Sequence, residues 1–278
     1  MAIEIGTVGI WTTARMWPRS SLGEVVAELE ELGYGALWLG SSPPGDLRLV
    51  EELLAASTTL PVATGILNVW DTEPDEVAAA YRRVSASHPG RFILGIGSGH
   101  GHAKPYQRLV EFLDVFDTSN VPADHRILAA LGPRVLALAA ARTAGALPYN
   151  TTPEHTAMAR EILGPDRILA PEVMVVLETE PDRARATGRE RLAPYLELTH
   201  YIANLRRLGF TEEDLSYGGS DRLVDALIAW GDEEAIRGRI AEHFAAGADH
   251  VPIQVLNPGP ERLATLRTLA PVLLGVSR

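Results

Sequence analysis

His100 and His102 stand one residue apart in a glycine-rich run, Gly97-Ser98-Gly99-His100-Gly101-His102. Imidazoles titrate near neutral pH and can pass protons, and two close together can also share a metal cation. A metal site needs a full ligand set. Here the other candidates, Glu178 and Asp71, are remote, and His125 and His250 precede apolar strands. No metal is therefore expected, and the histidines are read as proton carriers or polar contacts in a cofactor site, with solvated loop residues as the alternative. The glycines around them let backbone approach a ligand closely and offer successive N–H groups to a ring carbonyl or phosphate; an ordinary flexible turn is the competing reading. Further along, Leu131-Gly132-Pro133-Arg134 puts proline in the first turn of a helix, whose free N–H groups and dipole suit an anion, although an ordinary turn into a helix is again the alternative. Trp11 and Trp70 can stack on a planar ligand or pack in the core, whereas Trp38 lies inside an apolar run and reads as packing.

These residues share a position relative to the elements around them. Eight apolar runs alternate with helical patterns, the signature of β/α units around a parallel sheet. The strands are expected at Ile5–Trp11, Ala36–Leu39, Pro61–Leu67, Arg91–Gly97, Arg126–Leu131, Gly145–Pro148, Glu172–Glu178 and Val251–Leu256. A first helix over Ser21–Leu32 carries Ser21 and Glu24 at capping-box spacing. Residues 181–208 read as a long helical stretch, and a polar connection with further helices reaches Ala246. Eight units are the number that closes a (β/α)8 TIM barrel, and no nucleotide fingerprint of an open doubly wound sheet follows the first strand. One barrel domain over 1–278 is expected. In such a barrel the loops after the strands face the site, and those loops here hold Trp11, Gly40-Ser41, Asn68, Trp70, Gly97-Ser98-Gly99 and Gly132-Pro133-Arg134.

Composition narrows the function classes. The chain has no cysteine, which removes thiolate nucleophiles, disulfides and cysteine-ligated metals. Its net charge of −11 opposes nucleic acid binding, so any anionic ligand must be held by local donors such as Arg134 or Lys104, the single lysine. The first residues lack the pattern of a signal peptide, and no run is long and apolar enough to span a bilayer, so a cytoplasmic protein without membrane contact is expected.

Several segments resemble the luciferase-like flavin and deazaflavin oxidoreductases, specifically the branch that uses coenzyme F420. They are Gly33-Tyr34-Gly35-Ala36-Leu37-Trp38-Leu39-Gly40, Ala63-Thr64-Gly65-Ile66-Leu67-Asn68, Arg91-Phe92-Ile93-Leu94-Gly95-Ile96-Gly97 and Leu131-Gly132-Pro133-Arg134-Val135-Leu136, in order and spacing, with Val251–Leu256 matching the last strand. The resemblance implies a non-prolyl cis peptide at Gly65-Ile66 backing the central ring, a pyrimidine edge at Gly97, Ser98 and Gly99, and a phosphate-side turn at Gly132, Pro133 and Arg134. It also implies a homodimer. Two departures weaken a sugar-phosphate substrate: Thr143-Ala144-Gly145 stands where relatives often carry Asp-Gly, and Ser41-Ser42-Pro43 lacks an acid-histidine pair. The short connection from Ser98 to His125 suggests a shallow substrate pocket.

The reading at this level is an F420-dependent oxidoreductase that moves hydride between C5 of the cofactor and a small alcohol, carbonyl or activated alkene. His100 and His102 are the expected proton carriers. Gly40, Ser41, Gly65, Ile66, Asn68, Gly97, Ser98, Gly99, Leu131, Gly132, Pro133 and Arg134 are expected around the cofactor, and Trp11 and Trp70 around the substrate. The alternatives are an FMN-dependent monooxygenase and a noncatalytic binding barrel on the same scaffold.

Overall fold

A computed structural model of the chain describes residues 3–100 and 103–275. Its strands are β1 (Val8–Thr12), β2 (Leu37–Leu39), β3 (Val62–Thr64), β4 (Leu67–Asn68), β5 (Phe92–Gly97), β6 (Arg126–Leu128), β7 (Gly145–Ala146), β8 (Ile168–Leu169), β9 (Val173–Leu177), β10 (Ile228–Gly231) and β11 (Val251–Val255). The helices between and after them are α1 (Leu22–Glu31), α2 (Arg48–Ala55), α3 (Pro74–Ser87), α4 (Pro105–Thr118), α5 (Pro133–Arg142), α6 (Pro153–Leu163), α7 (Pro181–Leu192), α8 (Thr199–Arg207), α9 (Glu212–Leu215), α10 (Asp221–Leu227), α11 (Glu233–Ala245) and α12 (Glu261–Leu273).

Every strand pairing is parallel, in the order β10-β9-β11-β1-β2-β3-β5-β6-β7-β8 with β4 also on β5. The expected (β/α)8 barrel is thus observed, with three refinements. The third strand is two pieces, β3 and β4, separated by the Gly65-Ile66 peptide, which is cis as the resemblance implied. The seventh is also two pieces: β8 pairs with β7, and β9 pairs with β11, so together they close the sheet on itself. The third refinement is a correction. Residues 228–231, expected within a helical stretch, form β10 and add to the outer edge of β9. An apolar run of that length fits a buried helix and a buried strand equally well, and the free edge of β9 decides the matter.

Side chains fill two layers. Trp38, Ala63, Ile93, Ile127 and Ala170 pack inside the barrel, while the larger cluster lies between strands and helices. Glycine makes the inner layer possible. A Cβ on Gly95 would stand 1.9 Å from the carbonyl oxygen of Thr64, so a close backbone approach requires glycine there. Outside, α3 shows how the sequence sets a barrel helix: Pro74 occupies the first turn with Asp75 and Glu76, and Val77, Tyr81 and Val84 recur at helical spacing on the buried face. The capping box expected for α1 does not form. A short 3-10 turn, Arg19–Ser21, precedes the helix and turns the Ser21 hydroxyl back to donate to the carbonyl of Pro18 at 3.2 Å.

At the amino-terminal end of the barrel, Trp38 Nε1 donates to His250 Nε2 at 2.9 Å, leaving Nδ1 to meet the carbonyl of Gly6 at 3.1 Å. His250 is buried there as packing, as its place before a strand suggests. No helix among the described residues is long and apolar enough to cross a membrane.

Candidate active site

The carboxyl ends of the strands open into one cleft of about 1630 Å³, larger than the roughly 300–1,000 Å³ of ordinary small-molecule pockets. It is not the shallow pocket expected from the short Ser98–His125 connection. Its depth comes instead from the chain between β9 and β10, where α7, α8 and the turn joining them bring Arg191, Tyr195, His200 and Tyr201 over the barrel mouth.

One wall of the cleft is mostly backbone and small side chains. Gly65 and Ile66 leave the third strand, Ser98 and Gly99 the fourth, and Ala129 to Gly132 the fifth. Asn68 fixes the loop after β4 by accepting from the Trp70 N–H at 3.2 Å and donating to Asp71 at 2.8 Å. Gly99 has a φ of 55°, which glycine adopts without penalty, and a Cβ there would meet the Asn68 amide at 2.9 Å. Trp11 is 5% exposed and faces the cleft; its Nε1 donates to the carbonyl of Gly65 at 2.9 Å, so it serves both packing and lining. At the rim the Arg134 guanidinium lies 3.8 Å from the ring centre of Tyr106, a cation–π contact that leaves its charge facing solvent.

The opposite wall is polar and aromatic. Arg191 Nη2 donates to Tyr149 Oη at 2.8 Å, and the Tyr195 hydroxyl lies 3.2 Å from the same oxygen. Gln254 projects from β11 with its amide nitrogen donating to Tyr149 Oη and Glu172 Oε1, 2.9 Å each, and its oxygen accepting from Arg191 Nη2 at 3.1 Å, the orientation in which donors meet acceptors. Glu172 is 1% exposed and Gln254 2%. Burial pushes the Glu172 carboxyl up to about 8, against the pull of Arg191 and the Asn150 backbone. Its neighbour Tyr149 is held well above the ordinary phenol range, first by burial and then by the Glu172 charge. Burial also opposes the Arg191 charge, but the phenol oxygens of Tyr149 and Tyr195 outweigh it and raise its pKa. Near neutral pH this wall therefore carries a guanidinium beside a largely neutral carboxyl.

Above it sits an aromatic stack. Tyr195 and Tyr201 meet edge to face at 5.2 Å, Tyr149 lies 5.5 Å from Trp11, and His100 stacks on His200 with ring centres 5.0 Å apart and planes within 18°. Burial, then the charge of His100, lowers His200 to about 4. Burial likewise lowers His100, against a backbone contact at Gly99.

Of the residues singled out from sequence, Trp11, Ser41, Gly65, Ile66, Asn68, Ser98, Gly99, His100, Leu131, Gly132 and Arg134 line this one cleft. Four do not. Gly40 lies beneath the Trp11 indole, where a Cβ would come within 2.0 Å of it, and Gly97 sits between Ile66 and Ala129. Pro133 is exposed in the first turn of α5. Trp70 is carried away from the barrel axis by the Asn68 turn and packs with its ring centre 5.8 Å from the Arg108 guanidinium. His102 lies outside the described residues. Among the described residues, no group of three or more His, Asp or Glu could hold a metal ion.

Sequence reasoning missed the polar wall. Two of its members left a signal: Gln254 is a lone amide in the apolar strand Val251–Val255, and Glu172 directly precedes the apolar β9. Tyr149 follows the sixth strand, where site residues are sought. Nothing local marks Arg191, Tyr195, His200 or Tyr201.

No family model and no curated protein matches the sequence. Solved structures do match its fold. An F420-dependent secondary alcohol dehydrogenase, solved with an F420–acetone adduct, aligns at a TM-score of 0.74 and 11% identity over 98% of this chain and 99% of its own. The coenzyme F420-dependent tetrahydromethanopterin reductase from Methanopyrus kandleri aligns at 0.72 and 13%, over 96% and 97%. The oxygenating constituent of 3,6-diketocamphane monooxygenase from Pseudomonas putida, a type II Baeyer–Villiger monooxygenase solved with FMN, aligns at 0.63 and 14%, over 99% and 98%. At these identities the likeness is one of fold.

Proposed function

We propose that the protein is a deazaflavin-dependent oxidoreductase of the F420 type, acting on a small organic alcohol, carbonyl or activated alkene. The observation that carries this reading is the convergence of three backbone-lined strand ends, Gly65-Ile66, Ser98-Gly99 and Leu131-Gly132, on one cleft with a cation at its rim. A flat ring with an anionic tail fits such a wall. Backbone carbonyls and N–H groups can meet ring edges without large side chains intervening, and a Cβ on Gly132 would meet nothing within 4 Å, which leaves room for a tail. The −11 chain offers no general attraction for an anion, so the tail relies on local donors: Arg134 and the first turn of α5.

When bound, the deazaflavin supplies or accepts a hydride at its C5 carbon; the protein supplies orientation, exclusion of water and proton handling. Gly65, Ile66, Ser98 and Gly99 hold the ring, with Trp11 fixed to the Gly65 carbonyl behind it. The helices after β9 roof the opposite side, so a substrate enters between the backbone wall and the aromatic stack. His100 stands at the mouth, in reach of solvent, and serves there as a proton carrier; its lowered pKa keeps the ring neutral and able to accept a proton near pH 7. FMN is the competing cofactor. Equilibrium dialysis against each cofactor separates them: tighter retention of the deazaflavin is expected, and FMN binding at least as tight transfers the protein to flavin chemistry.

A further inference from the structure

We propose that Tyr149 is the hydrogen-bond and proton donor to the substrate's reacting oxygen, and that the substrate is a planar conjugated carbonyl, an enone or quinone. This inference rests on the proposed deazaflavin reading and names the substrate class of the same cleft.

The geometry begins with the Tyr149 oxygen. It accepts from two donors, Arg191 Nη2 at 2.8 Å and the Gln254 amide at 2.9 Å. An sp² phenol oxygen so occupied has its own proton left to give, and the directions open to it are the Tyr195 hydroxyl and the cleft that Tyr149 lines. Arg191 opposes, without cancelling, the burial that holds the Tyr149 phenol well above its ordinary range, so the proton stays on the phenol as a hydrogen-bond donor until a strongly basic oxygen forms beside it. Glu172 completes the arrangement. Its carboxyl is buried among these groups, with Oε2 unpartnered among the described residues, and near neutral pH it does not cancel the Arg191 charge. Besides the Tyr195 hydroxyl, a substrate oxygen bearing partial negative charge on the cleft side of Tyr149 can accept that proton.

The shape of that ligand follows from its surroundings. Trp11 lies 5.5 Å from Tyr149, and Tyr195 and Tyr201 stand at 5.3 Å and 6.4 Å from it, so the oxygen must be carried by a group that tolerates aromatic rings on several sides. Conjugated rings satisfy this through stacked and edge contacts. An oxygen set directly on such a ring system, as in an enone or quinone, reaches Tyr149 while the ring remains among the aromatics.

The step balances. The substrate carbon gains a hydride, with its electron pair, from the reduced cofactor of the proposed function, the carbonyl π pair moves onto oxygen, and that oxygen takes the Tyr149 proton. The phenolate left behind is held by Arg191 and Gln254, and its proton returns from solvent along Tyr195, which lines the cleft. No further oxidant or reductant is required.

The test uses menadione as the probe, bound to the full chain carrying oxidised deazaflavin, where turnover cannot occur. Infrared difference spectroscopy reads its carbonyl stretch and calorimetry its affinity. The wild type should bind menadione with a carbonyl stretch shifted to lower frequency. Tyr149→Phe should return that stretch to its solution value and weaken binding by about five- to tenfold, the loss of one hydrogen bond, while the ring contacts persist. With reduced cofactor, the same variant should transfer hydride to menadione about a hundredfold more slowly or worse, as expected for a lost general acid. An unchanged carbonyl shift in Tyr149→Phe overturns the proposal, and so does a wild type that binds deazaflavin but not menadione. A wild type that binds no deazaflavin fails the functional reading itself, an outcome distinct from both.

Discussion

The two walls of the cleft are built by different means. On the side of β3 to β6 the lining is backbone and small residues, positioned by glycines that let strands and loops approach one another. On the side of β7 to β11 it is side chains, Tyr149, Arg191 and Gln254, brought together from distant parts of the chain, with Glu172 buried behind them. A ligand of fixed shape can be held by a backbone surface that changes little with side-chain substitution. A variable ligand needs side chains. Under the proposed function, the contrast gives the cofactor the first wall and substrate recognition the second.

The sharpest way to break the first wall is to put a methyl group where the strands touch. Gly95→Ala places a Cβ 1.9 Å from a backbone oxygen that cannot rotate away. Overpacking costs about 1–3 kcal/mol or more, so the thermal midpoint followed by circular dichroism should drop by roughly 5 °C or beyond. A midpoint equal to wild type means the wall yields more readily than its geometry shows.

The second wall is probed through Glu172. Its carboxyl titrates near 8 in the fold against 4.5 as the ordinary value, so the native state favours the protonated form. Stability from this group is complete below about pH 4.5 and is lost as pH rises through 8. Glu172→Gln cannot ionise. It should match wild type near pH 4 and exceed it by about 3 °C or more at pH 9, as each kcal/mol moves the midpoint of a domain this size by about that much. Parallel melting curves at both pH values would expose a mistaken assignment.

At the rim the effect is smaller still. Arg134 is exposed and rests on Tyr106, and contacts of exposed charges are weak and screened by salt. Arg134→Ala should loosen deazaflavin less than about tenfold and flatten the salt dependence of binding. Titrations at two ionic strengths decide this, because an unchanged salt response places the tail elsewhere.

The same contrast explains what was legible in the sequence. Glycine runs, turn residues and apolar strands are local patterns, so the barrel and the Ser98-Gly99 and Leu131-Gly132 corners could be located from neighbouring residues, whereas the Gly65-Ile66 junction came from the family resemblance. Gly40 and Gly97 were found for the right loops but face other side chains, since a spacing does not say which way a Cα points. Trp70 was misread because the Asn68 turn that redirects it is a three-dimensional event. The polar wall was opaque for a stronger reason. Arg191 lies 42 residues from Tyr149, and Tyr149 is 105 from Gln254. An arginine in a helix as arginine-rich as α7 gives no hint that one guanidinium turns inward. β10 escaped because pairing with β9, and not its own four residues, makes it a strand.

The most direct test of the division between the walls is one deazaflavin titration carried out on three proteins: wild type, Gly132→Leu and Tyr149→Phe. Gly132 has an extended backbone that accepts any residue, and no atom lies within 4 Å of its Cβ position, so a side chain can begin there without clash, and a leucine occupies space beside the backbone wall. Gly132→Leu should weaken deazaflavin binding by about tenfold or more, one large contact's worth, while Tyr149→Phe binds it as wild type does. Equal affinities for all three, or a loss confined to Tyr149→Phe, would contradict that division.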